Sequence, residues 1–227
     1  VIAESASPLF RLAPYIVFGA MVAAAAVIPS MGTGLPFRSA ADAIALVGLL
    51  AIARVFMSLA AMDIGTAFGT LGARRDMMIG FLAEPALLMV IFVASLLSAT
   101  TALPLIAERL VVQPLALYPS LAFTAVAFTM VLLAENARIP VDNPATHLEL
   151  TMIHEAMLLE YSARHLALME WAAALKLFNY ACIGFALFVP WGASIGETGI
   201  GALALSLPAL LAKLGVAGLW LALLETV

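Results

Sequence analysis

An all-α fold, a polytopic bundle of about six transmembrane helices, is what this sequence predicts, and three observations predict it. Of the 227 residues, 65% are hydrophobic and only 11% charged, against about 25% charged in a typical soluble domain. The mean hydropathy is +1.13. The apolar residues gather into runs close to the roughly 20 needed to cross a hydrocarbon core, each bounded by Pro, Gly or charge. The alternating strand pattern of an outer-membrane barrel is absent from the sequence. With 10 Lys and Arg against 14 Asp and Glu, the chain carries no basic patch to hold a nucleic-acid backbone, so no nucleic-acid partner is expected.

The six runs follow in order. Pro14 to Pro29 is short and Ala-rich; Ala41 to Met62, Glu84 to Thr101 and Tyr118 to Ala134 come next; Leu166 to Trp191 and Gly201 to Leu224 complete the set. Each closes at a polar or Gly/Pro segment. With no polar domain, long linker or repeat between them, residues 1 to 227 read as a single integral membrane domain. The chain opens on Val1 rather than Met, and its last run stops at Glu225-Thr226-Val227. These ends lead us to expect part of a longer chain.

Lys and Arg near the span ends set the orientation. With the N-terminus cytoplasmic, the inside segments carry Arg11, Arg74, Arg75, Arg138 and Arg164, and the outside segments Arg38 and Arg109. Segments 63 to 83 and 135 to 165 are therefore expected as cytoplasmic loops of an inner-membrane protein. The one cysteine, Cys182, permits neither an internal disulfide nor a Cys-based iron–sulfur or zinc site. Any redox centre has to belong to a partner.

Glu135 to Lys176 carries most of the chemistry. Ile139-Pro140-Val141-Asp142-Asn143-Pro144 holds two prolines that forbid a continuous helix and predict a rigid turn at the membrane surface. An amphipathic helix is then expected over 145 to 165, between the fourth and fifth spans. On it Met152, Ile153, Ala156, Leu159 and Ala163 share one face with Glu149 and Glu160, and His147, His154 and His165 form the opposite stripe with Thr151 and Tyr161. That stripe reads as a wet or partner-facing surface. Histidines seven and eleven residues apart lie about 10 and 16 Å apart along a helix, too far to share a metal. Glu149 and Glu160, carboxylates on an apolar face, serve either proton handling or pairing with Arg138 or Arg164.

Further charges fall within or beside the spans: Arg54, Glu84, Glu135, Glu170, Lys176, Lys213 and Glu225. Ionisable groups inside a membrane are functional candidates by default, because placing them there costs free energy. Glu170 and Lys176 can pair or snorkel. Arg54, in mid-span, requires a carboxylate such as Glu84 or Glu135.

The run Glu135-Asn136-Ala137-Arg138-Ile139-Pro140-Val141-Asp142, followed by Glu149-Leu150 and Glu160-Tyr161-Ser162, resembles the signature loop of the subunit 1 family of complex I membrane proteins. Within that family the loop is most similar to the hydrogenase branch, the membrane anchor subunits of formate hydrogenlyase and energy-converting nickel–iron (NiFe) hydrogenases. A second motif points the same way: Met62-Asp63-Ile64-Gly65-Thr66-Ala67-Phe68-Gly69, then Arg74-Arg75-Asp76-Met77 and Ala83-Glu84-Pro85-Ala86. Val141 stands where quinone-reducing members have Phe, and the carboxylates aligned with Glu149 and Glu160 are further apart than in those members. Members usually have eight spans, one more at each end.

The resemblance implies a subunit with no catalytic residues, metal or cofactor of its own. Arg74, Arg75, Asp76, Arg138, His147, His154 and Arg164 would dock a hydrogenase-like large subunit and an iron–sulfur small subunit, which hold the NiFe centre and iron–sulfur clusters. Glu84, Glu135, Asp142, Glu149 and Glu160 would couple electron transfer to proton or sodium movement through antiporter-like membrane subunits, with Arg54, Lys176 and Lys213 as intramembrane charges. Two alternatives remain: a quinone-site subunit of a complex I-like NADH dehydrogenase, and a stand-alone ion or solute transporter.

Overall fold

The computed structural model describes residues 6–34, 41–112, 118–142, 153–194 and 200–226, with the side chains of 200, 202, 203, 205 and 226 outside the description. Among the described residues eight helices follow one another: α1 (Pro8–Val27), α2 (Ala43–Asp63), α3 (Ala67–Ser98), α4 (Leu103–Val112), α5 (Pro119–Glu135), α6 (His154–Leu158), α7 (Ala163–Phe188) and α8 (Ile200–Thr226). Among the described residues there is no strand, only two isolated bridges. Five of these described helices, α1, α2, α3, α7 and the Ser206–Glu225 part of α8, are long and apolar enough to cross a membrane. The fourth expected span is the 17-residue helix α5, about 26 Å long at 1.5 Å per residue and a little short of a hydrocarbon core of about 30 Å.

α1 lies between α2 and α7, α2 packs on α3, and α3 on α5. Residues 10, 13, 14, 17, 20, 21 and 24 of α1 are buried, the three- and four-residue spacing of a single packing face. Three of them, Ala13, Ala20 and Ala24, are small, which lets neighbouring helices approach closely. Pro14 has no N–H, so the Phe10 carbonyl loses its helical donor. The Tyr161 hydroxyl takes that place, donating to the Phe10 oxygen at 3.2 Å, while its ring stacks on Phe10 at 4.0 Å between centroids.

This contact corrects the expected helix over 145 to 165. Residues 143–152 lie outside the described residues. Beyond them α6 lasts only from His154 to Leu158, a turn follows at 159–160, and α7 starts at Ala163. Ser162 is extended and Ala163 has φ +47°. Burying Tyr161 against α1 takes precedence over helical continuity. Tyr161 and His165, expected on a wet stripe, are buried at 6% and 7% exposure.

Segment 63–83, expected as a loop, is a second correction. The break is confined to Ile64–Thr66, where Gly65 has φ +73°, and from Ala67 onward α3 runs unbroken through Pro85 for 32 residues. That is about 48 Å, longer than the hydrocarbon core, so part of α3 stands outside it. Gly72 lets α6 rest on this part, because a Cβ there would lie 2.8 Å from the Ile153 carbonyl oxygen. Helix α4 was not expected.

The two ends of the bundle differ in what closes them. At the end holding the α2–α3 and α5–α6 connections, Ala137 has φ +50°, and the Arg138 N–H donates to the Leu133 oxygen at 2.9 Å, ending α5. At the opposite end Asp42 caps α2, accepting from the Ile44 N–H at 2.8 Å and from the Thr101 hydroxyl at 2.7 Å. These bonds, the Thr101 hydroxyl first, hold the half-buried Asp42 carboxyl below its ordinary pKa. The Arg109 guanidinium donates to the Ser98 carbonyl where α3 ends.

Candidate functional site

Charges from four helices meet in the interior. Arg54, midway along α2, is 6% exposed; a guanidinium there cannot reach water and has to be paired. Its Nη2 contacts Glu135 Oε2 at the end of α5. Its Nε lies 4.0 Å from Asp76 Oδ2 and 3.9 Å from Glu84 Oε1, both on α3. The Glu135 carboxylate, itself buried, takes Lys176 Nζ at 3.0 Å and a hydrogen bond from Tyr180, both on α7. The Ser58 hydroxyl donates to Asp76 at 3.1 Å.

The arrangement has a simple periodic origin. Each long helix presents its groups four residues apart, hence on one face: Arg54 and Ser58 on α2, Asp76, Gly80 and Glu84 on α3, Lys176 and Tyr180 on α7. Gly80 sits between the two acids because a Cβ there would run into the Arg54 guanidinium. Sequence reasoning left Arg54 a choice between Glu84 and Glu135; both lie beside it. Reasoning from the sequence overlooked Ser58, Gly80 and Tyr180 and placed Asp76 at a docking surface. The four-residue stripe from Asp76 to Glu84 was the signal that would have found this face of α3.

Desolvating charges costs several kcal/mol per ion unless partners and hydrogen bonds compensate, and here compensation is incomplete. Among the described residues Arg54 Nε and Nη1, Glu135 Oε1 and Asp142 Oδ1 are buried without a hydrogen-bond partner. Two small cavities adjoin them, of about 20 Å³ and 30 Å³, each large enough for a water molecule. His154 and Lys176 line both, and they also line a larger cavity of about 420 Å³ with Asn136, Arg138 and Glu155. The buried network thus adjoins a space at the α5–α6 end of the bundle into which charged side chains reach.

Asp142 fixes this junction. Its Oδ2 accepts from the backbone N–H groups of Ile153 at 3.2 Å and His154 at 3.0 Å, tying α6 to the turn after α5. Burial holds the His154 imidazole below its ordinary pKa, the Lys176 ammonium adds to the effect, and Asp76 and Asp142 oppose it. Burial, and secondarily Asp63, raise the Tyr161 phenol.

The remaining candidates fall elsewhere. Arg138, offered as a partner for Glu149 or Glu160, pairs with Glu225 of α8 at 2.9 Å. Glu160, half-buried, lies in the turn between α6 and α7. Arg74 and Arg164 are exposed and Arg75 is half-buried. Lys213 donates to the Val189 carbonyl at 2.6 Å, just past α7. Lys176, considered with Glu170, pairs with Glu135. Glu149 and His147 lie outside the described residues. Among the described residues no three His, Cys, Asp or Glu side chains converge as a metal site.

An apolar helical bundle that closes around a network of opposite charges defines an integral membrane protein with ionisable groups held inside the fold. The chain belongs to the NADH dehydrogenase family, which it matches over residues 1–226. It is 33% identical over 217 residues to formate hydrogenlyase subunit 4 of Escherichia coli K12, a match covering 96% of this chain and 69% of that one. Hydrogenase-4 component C of the same organism is 33% identical over 188 residues, covering 83% of this chain and 58% of that one. Among solved structures, a chain of the membrane-bound sulfane sulfur reductase, an archaeal respiratory membrane complex, superposes with a TM-score of 0.74. It is 21% identical, with 96% of this chain and 71% of that one covered, and at that identity the likeness speaks for the fold. These relatives agree with the resemblance carried by the Glu135 loop and the Met62 to Ala86 motif.

Proposed function

We propose that this chain is the membrane anchor and coupling subunit of a membrane-bound hydrogenase or formate hydrogenlyase-like complex. The observation that carries the reading is the Arg54–Glu135–Lys176 network, buried in the bundle yet next to a cavity beside α6 that Arg138, His154 and Glu155 also line. Names of the 33% identical relatives support the hydrogenase setting. In this reading the Glu135 end of the bundle faces the cytoplasm. The exposed Arg74, with Arg75, Arg138, Arg164 and the α6 segment bearing His154, meets a hydrogenase-like large subunit and an iron–sulfur small subunit. Those partners supply the NiFe centre and iron–sulfur clusters; antiporter-like membrane subunits adjoin the bundle.

The chain's own part is electrostatic. Glu135 lies between two cations, and Asp76 and Glu84 compete for one of them. A charge arriving at the docking end changes the potential at Lys176 and His154. Glu135 then exchanges one cation for the other, or a proton for both, because in a low-dielectric interior such shifts exceed thermal energy. Asp76 and Glu84, one and two turns along the same face of α3, are the next acceptors, and waters in the two small cavities bridge the gaps.

Purification in mild detergent through a tag on this chain, with subunit identification and nickel and iron analysis, tests the assignment. Co-purifying nickel and iron–sulfur subunits are expected. Iron without nickel, together with NADH-binding subunits or quinone, would move the chain to a complex I-like enzyme. Recovery of the chain alone with transport activity would make it a transporter.

A further inference from the structure

Helix α6 has five residues, too few to persist without tertiary support, and three ties supply it. Asp142 Oδ2 accepts from the Ile153 and His154 N–H groups at 3.2 and 3.0 Å. Gly72 of α3 admits the Ile153 carbonyl and Ala156, whose atoms would lie 2.8 and 3.0 Å from a Cβ there. Met157, 2% exposed, packs with Ala61 of α2 and Ala73 of α3. These ties hold the half-buried His154 at one place on the bundle.

Three spaces meet at that place. With Lys176, His154 lines the two small cavities beside Arg54 and the cavity of about 420 Å³ beside Arg138 and Glu155. Asp76 lines one of the small cavities and does not border the large one. Glu135 and Asp142 border both, but Glu135 Oε2 is held by Arg54 and Lys176 and Asp142 Oδ2 by two N–H groups. An ionised carboxylate only accepts and an ammonium only donates, whereas a neutral imidazole carries one nitrogen of each kind. Its charge ordinarily changes between about pH 5 and 8. Arg54, Asp76 and Lys176 face the ring across the small cavities from α2, α3 and α7. Glu135, Arg138 and Asp142 face it across the large one from the end of α5 and the turn beyond, and Glu155 is its neighbour on α6. Burial, aided by Lys176 and opposed by Asp76 and Asp142, favours the neutral ring, so a proton that arrives there is passed on and not trapped.

We propose that the His154 imidazole relays protons between the large cavity and the Arg54–Asp76–Glu135 network. One ring nitrogen takes a proton delivered by water in the large cavity, forming a new N–H bond. The other ring nitrogen breaks its N–H bond and gives its proton to water in a small cavity, from which it reaches Asp76 or Glu135 and forms a carboxyl O–H. One N–H bond is made and one broken, one proton has moved, and the ring, left as its other tautomer, resets by flipping. The relay rests on the coupling role proposed above and gives it a proton route at the docking end.

The test records proton uptake and hydrogen turnover in proteoliposomes holding the whole complex. His154→Gln, polar but without a titrating nitrogen, should slow proton uptake about 100-fold, the low end of what a positioned acid–base group contributes. It should also lose the wild-type decline in uptake rate between about pH 6.5 and 8. His154→Ala should regain uptake on addition of imidazole, which the adjoining cavity of about 420 Å³ can admit, since roughly 150 Å³ is enough for benzene. N-methylimidazole, with no N–H to pass on, should not restore it. Wild-type uptake in His154→Gln would overturn the relay, as would a slow His154→Ala complex of normal subunit composition that imidazole leaves slow. Should His154→Ala not assemble, the pH profile of His154→Gln decides, and a profile parallel to that of wild type overturns the relay. Glu135→Gln, measured alongside, separates the two claims. If it uncouples while His154→Gln runs as wild type, the relay alone fails; if it takes up protons as wild type does, the coupling role itself fails.

Discussion

Asp42, just before α2, and Arg54, midway along it, are both charged and both bonded, yet they do different work. Asp42 sits at a helix end and uses its oxygens to close that end, for the Ile44 N–H of its own helix and the Thr101 hydroxyl of the adjoining α3–α4 connection. Arg54 is buried and reaches three acids on two other helices, with nitrogens left without a hydrogen bond. The first is an ordinary cap. The second is a network that packing alone would not retain, since an apolar replacement of similar volume is often as stable. Charge in a membrane helix is therefore most informative when it is buried in mid-helix against charges of other helices and remains incompletely satisfied.

The largest expected effect comes from breaking the network on one side. Arg54→Met should destabilise the bundle by about 3–5 kcal/mol, because Glu135 and Asp76 lose their shared cation in a buried setting. Thermal unfolding of the solubilised complex checks this, and the double variant Arg54→Met with Glu135→Met should recover much of the loss. Gly80→Ala should cost less, about 1–3 kcal/mol, by pushing the guanidinium off Glu135; its mark would be slowed turnover at normal subunit composition. Tyr161→Phe keeps the stack on Phe10 but leaves the carbonyl freed by Pro14 unbonded. A loss of about 1 kcal/mol should follow, seen as faster hydrogen exchange over 153–163. Asp42→Ala should also cost about 1 kcal/mol or less, the usual value of a cap, and leave turnover unchanged.

His154 gives the comparison a pH axis. Its folded pKa lies below the ordinary imidazole value, so the unfolded segment binds the proton more readily than the folded one. The contribution to stability is therefore full above the ordinary value, about 6.5, and declines as pH falls from there toward the lowered folded value. Hydrogen exchange over α6 should speed up on acidification from about pH 7.5 to 5.5, and His154→Gln should flatten the response.

Much of this fold was legible. Apolar runs bounded by Pro, Gly and charge located every long helix, because the bilayer imposes a length and a polarity that composition alone records. The misplaced elements share a cause. The start of α3 looked like a loop since Arg74, Arg75, Asp76 and Pro85 break the apolar pattern, yet a helix projecting beyond the core tolerates charge, and Pro85 removes only one backbone bond. The helix expected over 145 to 165 failed at Tyr161, where a ring and a carbonyl on α1, about 150 residues earlier, decide the backbone. The partners of Arg54 were half legible: the requirement for a carboxylate follows from burial, but which of three is set by helix packing. Arg138 drew Glu225 from α8 for the same reason, a neighbour that no local pattern announces.

Glu135 is the residue on which the coupling role stands or falls. In proteoliposomes holding the whole complex, hydrogen turnover and ion uptake can be recorded together for wild type and Glu135→Gln. If Glu135 couples the docking end to the membrane path, the variant should keep the complex assembled and some redox turnover, while ions moved per electron fall to background. Wild-type uptake per electron in Glu135→Gln would contradict it, and the buried network would then be a structural tie between α2, α3, α5 and α7.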